Sequence, residues 1–158
     1  MIGFVFTGVL GTLLHFLYDW TGQRPVVGAF SAVNESIGEH MKLLYFPLVA
    51  FAVCEYFVLG RDYSGFWWIK LLGSILGLIL IPGIYYPYTG ALGVKADWFN
   101  IAIFFIVAAV VFWVETKLLQ RKSPQRSQPI IPLALLTLIG IFLIMSTYSP
   151  PNIPLYQP

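Results

Sequence analysis

The chain has 158 residues, 58% of them hydrophobic and only 10% charged, with a formal net charge of +2. A soluble domain carries about a quarter charged residues, so this chain cannot cover a water-facing surface, and +2 is too small a charge for a nucleic-acid footprint. With a mean hydropathy of +0.80, the composition points to an integral membrane protein whose partner is the lipid bilayer, with no nucleic acid.

Five stretches reach the length and apolarity of a bilayer span, about 20 residues. They lie near 2–18, 41–59, 66–84, 98–116 and 129–147. They predict an all-α fold, an integral membrane bundle of five transmembrane helices in a single domain over residues 1–158. The first stretch lacks the basic start and small-residue cleavage site of a signal peptide, so it reads as a retained span. It ends in His15, Tyr18, Asp19 and Trp20. The connection that follows, "TGQRPVVGAFSAV", is partly apolar and suits the membrane interface.

The second span opens with "NESIGEHMK", residues 34 to 42. Pro47 should kink it. Cys54, the single cysteine, excludes an intrachain disulfide and reads as a small buried filler. Glu55 lies about one turn inside the far end of this span. Lys70 lies at similar depth in the third span, and the two are expected to pair. Gly73-x-x-x-Gly77 should let a neighbour approach closely. Trp67 and Trp68 at one side, with Trp20, Tyr85, Tyr86, Tyr88 and Trp98 at the other, read as interfacial aromatic belts. Glu115 and Lys117 end the fourth span and are expected to reach out to the interface. The tail "SPPNIPLYQP" is too rich in proline for a helix. It either hangs loose or folds back through Leu155 and Tyr156 as a lid.

Positive charge orients such a bundle. Arg61, Lys70, Lys117, Arg121, Lys122 and Arg126 lie on one side, and Arg24, Lys42 and Lys95 on the other. Six against three places the first side in the cytoplasm, with the N-terminus cytoplasmic and the C-terminus outside, in a cell membrane. Both histidines and four of the seven acids then share the outer face.

That outer cluster carries the chemistry. His15 and Asp19 are four residues apart and share one helix face, with Tyr18 beside them. Glu35 and Glu39 are also four apart, and His40 follows directly. If the first two spans are neighbours, which sequential packing favours, imidazoles and carboxylates converge. His15, Asp19, Glu39 and His40 form a candidate ligand set for a divalent transition metal such as zinc, manganese or iron. A metal there would acidify a bound water. Glu35, Glu39 and His40 are the candidate catalytic residues, and Asn34, Tyr18 and Lys42 the candidate substrate-binding ones. Neither His-Glu-x-x-His nor His-x-x-Glu-His is present, because Ser36 stands where the second would need histidine. A metal site must therefore draw on two helices. The competing reading is a strut. Ser31 or Asn34 caps the second span, the acids sit where the helix dipole favours them, Lys42 pairs with Glu35 or Glu39, and His15 bonds a carboxylate across the interface.

His15-x-x-Tyr18-x-Trp20, Asn34-Glu35-Ser36-x-x-Glu39-His40-x-Lys42 and Pro150-Pro151-x-x-Pro154-Leu155-Tyr156 resemble a family of small multi-pass prokaryotic membrane proteins known only as a domain of unknown function. Members often carry a bulky aromatic just before the Glu-His pair, where this chain has Gly38. The resemblance implies a multi-pass fold over nearly the whole chain and implies no activity.

Three functions fit these residues. One is a membrane-embedded enzyme with a metal-assisted or acid–base site at the outer face, acting on a lipid-like or membrane-borne substrate. Another is a small transporter or ion-handling protein that uses the same cluster, with Glu55 as an inner step; five helices would then need a homo-oligomer to form a path. The third is a structural or partner subunit.

Overall fold

The computed structural model describes all residues except 64, 94–96, 122–127 and 158. The described residues form helices and no strand. In chain order they are α1 (Ile2–Trp20), the one-turn α2 (Pro25–Gly28), α3 (Ile37–Val58), α4 (Phe66–Leu92), α5 (Asp97–Leu119) and α6 (Ile130–Tyr148). Short 3-10 turns at Gly60–Asp62 and Pro154–Tyr156 complete the path. Five of the helices are long and apolar enough to cross a membrane, in agreement with the five expected spans. Lys95, Lys122 and Arg126, three of the charges behind the expected orientation, lie outside the described residues.

The boundaries of α3 and α4 differ from those expected. The third expected span ended at residue 84, but α4 runs on to Leu92 and ends at Gly93 in the left-handed conformation. The three tyrosines that seemed to follow the helix are therefore on it. Helix α3 begins at Ile37, and its cap is Ser36, whose hydroxyl accepts from the Glu39 amide. Neither Ser31 nor Asn34 caps it. The Asn34 side chain accepts from the Ser36 amide at 2.9 Å, which tightens the turn before the helix. Buried Ser31 donates to the Leu14 carbonyl and accepts from the Tyr18 amide, pinning the 1–2 connection to the end of α1.

Helix α3 is the hub. It packs against α1, α4 and α6, while α5 packs against α1 and α4. A larger share of α3 is buried than of any other spanning helix. Small residues set how near its neighbours come. A Cβ on Gly11 of α1 would stand 2.7 Å from the Leu43 carbonyl oxygen, so glycine is what allows that approach. Gly77 of α4 gives the same room to Leu44 of α3, and Gly73 to Glu115 of α5. The main core gathers Ile37, Met41, Leu44 and Leu48 of α3 with Ile81 of α4 and Ile103, Val107 and Val111 of α5.

Three charged residues at the end formed by the C-termini of α3 and α5 and the N-terminus of α4 make one cluster. Lys70 lies 2.5 Å from Glu55 and 2.5 Å from Glu115, with the Phe51, Phe66 and Phe112 rings around its ammonium. The expected Glu55–Lys70 pair is present. The expectation for Glu115 is corrected, because it is buried and turned inward onto Lys70, not out to the interface. The reason is distance. The glycine at position 73 leaves a slot that the Glu115 carboxyl fills, and a buried lysine beside it makes burial of the acid tolerable. Cys54 is also corrected, being exposed on α3. An exposed thiol in an apolar span faces the hydrocarbon, where a small apolar side chain is equally at home.

The tail folds back. Tyr156 is buried, and its ring lies on Gly38, where any Cβ would collide with it. Leu155 packs beside the main core. The lid form of the tail is the one adopted.

Candidate functional site

Consecutive residues on α3 turn to different surroundings. Glu39 points into a closed network. One of its oxygens, Oε2, lies 2.6 Å from the Lys42 ammonium and accepts from the Val33 amide at 3.0 Å; Oε1 accepts from the Thr147 hydroxyl at 3.0 Å. Lys42 also donates to the Gly28 carbonyl at 2.8 Å and to the Thr147 hydroxyl at 2.6 Å. All three ammonium protons are thereby used, and both side chains are almost fully buried. The network ties α3 to α6 and to the 1–2 connection. Tyr148, next to Thr147, adds a bond from its hydroxyl to the Pro25 carbonyl at 2.7 Å.

His40 turns the other way, toward α1. Its Nδ1 lies 2.9 Å from the Ser36 carbonyl oxygen. That oxygen only accepts, so Nδ1 carries the proton and Nε2 is the free end of the ring. Nε2 lies 3.4 Å from Glu35 Oε2. Glu35 Oε1 lies 4.0 Å from His15 Nε2, and the two imidazole rings are 5.4 Å apart between centroids. Ligand atoms of His15, Glu35 and His40 all lie within 4.8 Å of one another. A neutral His40 would aim a lone pair at a carboxylate, two acceptors facing each other. A metal ion held between them would turn both lone pairs into ligands.

The geometry is near that of a metal site. Zinc at about 2.1 Å from two tetrahedral ligands sets them about 3.4 Å apart, which matches the His40–Glu35 separation. His15 Nε2 stands farther off, 4.0 Å from Glu35 Oε1. The Ser36 carbonyl would supply the outer hydrogen bond that fixes the tautomer and aim of His40 were it to hold a metal. His15 Nδ1 is buried with no partner among the described residues.

The three residues line a cavity of about 480 Å³ between α1, α3, α4 and α5. Its walls are mostly apolar, with Ile37, Leu43, Ile81 and Phe104 among them, and it also receives Tyr85 and Asn100. A mostly apolar pocket with a few convergent polar groups is the usual form of a small-molecule site.

The residues singled out in the sequence are thus divided. His15, Glu35 and His40 come together. Glu39 and Lys42 form the closed network instead. Asp19 stands apart from the group, its carboxylate accepting from Gln23 at 3.4 Å. Tyr18 lies against Gly28, and Asn34 is occupied with the turn before α3; neither lines the cavity. Sequence reasoning missed Asn100. Its signal was a lone amide in the first turn of an otherwise apolar span. Tyr85, which read as part of a belt, lines the cavity as well.

Neither a curated protein nor a solved structure matches the chain. A family described as a family of unknown function, DUF6512, matches it over residues 1–158, and the chain belongs to that family.

Proposed function

We propose that the protein is a membrane-embedded enzyme with a metal-assisted site at the extracytoplasmic face of the cell membrane, acting on a lipid-like substrate. His15, Glu35 and His40 hold a divalent transition metal such as zinc. The observation that carries this reading is the convergence of three ligand atoms within 4.8 Å at the wall of an apolar cavity. Three protein ligands leave one position of a tetrahedral zinc free, the arrangement of catalytic sites. With the metal bound, the site would supply an acidified water as nucleophile and a Lewis acid for a carbonyl or phosphoryl oxygen. The apolar walls exclude bulk water and accept a chain.

The placement at the outer face is supported by the charge bias. Lys42 and Lys70 are buried in ion pairs and are not loop charges, so one drops out on each side. The excess of Arg61, Lys117, Arg121, Lys122 and Arg126 over Arg24 and Lys95 remains. Glu55, the acid that a transport path would use as an inner step, shares Lys70 with Glu115. That sharing favours a brace between α3, α4 and α5 over a conducting step.

The test is bound metal. The full chain, purified in mild detergent without chelator, is assayed for transition metals beside His15→Ala, Glu35→Gln and His40→Ala. The reading expects close to one equivalent in the native chain and a large loss in each variant. Native protein that neither retains zinc nor takes it up when it is added in excess overturns it.

A further inference from the structure

The cavity has a direction. Of the residues it takes from α3 and α4, Ile37, Leu43 and Ile81 are buried and His40 and Tyr85 half-buried. Those from α1 and α5 include Thr12, Phe16, Ile101 and Phe105, all exposed. The floor is therefore α3 and α4, and the mouth lies between α1 and α5, on flanks that face hydrocarbon in a bilayer. A second, wholly apolar hollow of about 430 Å³ continues along the same two helices. Phe4, Val5, Gly8 and Val9 line it, and it shares Thr12 and Phe105 with the first. Together they make one groove from His15 to Phe4. At 1.5 Å per residue that is about 16 Å, close to half of a hydrocarbon core of about 30 Å, or one leaflet. Apart from Thr12, whose hydroxyl donates to the Gly8 carbonyl, its polar groups gather at the upper end. There Asn100 Oδ1 and His15 Nδ1 are both buried without a hydrogen-bond partner among the described residues.

We infer that the groove binds a single-chain acyl lipid taken sideways from the bilayer, its chain along α1 and α5 and its carbonyl-bearing head at His15, Glu35, His40 and Asn100. The inference rests on the enzyme reading and names its substrate class. The width suits one chain, since the groove is bounded by two helices in contact. Asn100 Oδ1 is an acceptor, so it takes a hydrogen bond from the hydroxyl of the head, as in a fatty acid's carboxyl group, which gives an unpaired oxygen in an apolar wall its partner. An ordinary boundary lipid would need no such group.

The probe is palmitic acid carrying a photoreactive diazirine in its chain and a terminal alkyne. It is added to the full chain in phosphatidylcholine vesicles, with and without excess unlabelled palmitic acid. Labelling should be saturable, competed, and concentrated in peptides covering residues 4–16 and 99–106. Thr12→Trp, which plugs the junction of the two hollows, should abolish competed labelling. Val9→Trp, which fills only the lower part, should reduce it while leaving the head site open. Both positions are exposed, so folding is not at stake. Asn100→Leu should weaken competition about 3- to 10-fold, the value of one hydrogen bond. Leu138→Trp, on the exposed face of α6, should change nothing. Labelling spread over all helices and insensitive to competitor, or unchanged in both tryptophan variants, overturns the proposal. Competed labelling in a protein that binds no zinc would sustain the chain site and remove the metal. Zinc binding with only diffuse labelling would do the reverse.

Discussion

Glu39 and His40 are adjacent on α3, and the two polar groups they belong to follow opposite rules. In the Glu39–Lys42 network every donor has an acceptor and the charges cancel. It is closed, and it leaves no position for a ligand. In the His15–Glu35–His40 group, acceptors face one another and Glu35 is 75% exposed. It is open, and it has room for a cation. The difference separates bracing from chemistry better than residue type does, since both groups are made of the residues expected in an active site. The Lys70 cluster lies between the two kinds, since one ammonium holds two carboxylates and their charges do not cancel.

Breaking the closed network should have the largest effect on stability. Lys42→Ala leaves Glu39 buried and unpaired and should cost about 3–5 kcal/mol, read as thermal unfolding in detergent. The paired change Glu39→Gln with Lys42→Met should recover much of that loss, because no lone charge stays behind. A paired variant no better than the single one would mean that geometry, not charge balance, makes this site costly. Lys70→Met should come next, at about 3 kcal/mol. Glu55 is 19% exposed on its side chain and can turn toward water, which softens the loss.

Gly38→Ala tests the junction beside both groups. The added methyl meets the Tyr156 ring, so it should cost about 1–3 kcal/mol and free the tail to protease. Adding Tyr156→Ala should restore protection of α3, though not of the tail. If Gly38→Ala leaves the tail as resistant as before, the ring is not seated on that glycine in solution.

His40→Ala should give the smallest change in stability without metal, within about 0.5 kcal/mol, as for a partly exposed position. Its signature appears only with zinc. Zinc at about 100 times its dissociation constant should stabilise the native chain by about 2.7 kcal/mol and leave the variant unmoved. Because ligands must be deprotonated, this stabilisation should weaken as the solution is acidified. A variant as unstable as Lys42→Ala would place His40 with the braces and erase the distinction between open and closed groups.

Much of the fold could be read along the chain. Five apolar runs of bilayer length need nothing beyond a count of residues against bilayer thickness, and all five are helices. The Glu55–Lys70 pair was also legible, because two opposite charges at equal depth in lipid have few other options. The caps were harder. Ser31, Asn34 and Ser36 are all good caps by type, and the choice depended on where Ser31 found a better partner, the Leu14 carbonyl of α1. The length of α4 was missed, for it runs past the expected end at 84 to Leu92 with Pro82 and Pro87 accommodated inside the helix.

By itself, the sequence determined that the chain is helical, apolar enough to span a membrane, and polar at the start of its second span. Those properties come from composition and local periodicity, which one helix expresses alone. Only the tertiary structure decided which of the polar residues work together. Glu39 and His40 differ by about 100° around one helix axis, which turns one toward α6 and the other toward α1. Glu35 joins the histidines, and Asp19 does not, because contacts between side chains distant in sequence depend on which helix lies beside which.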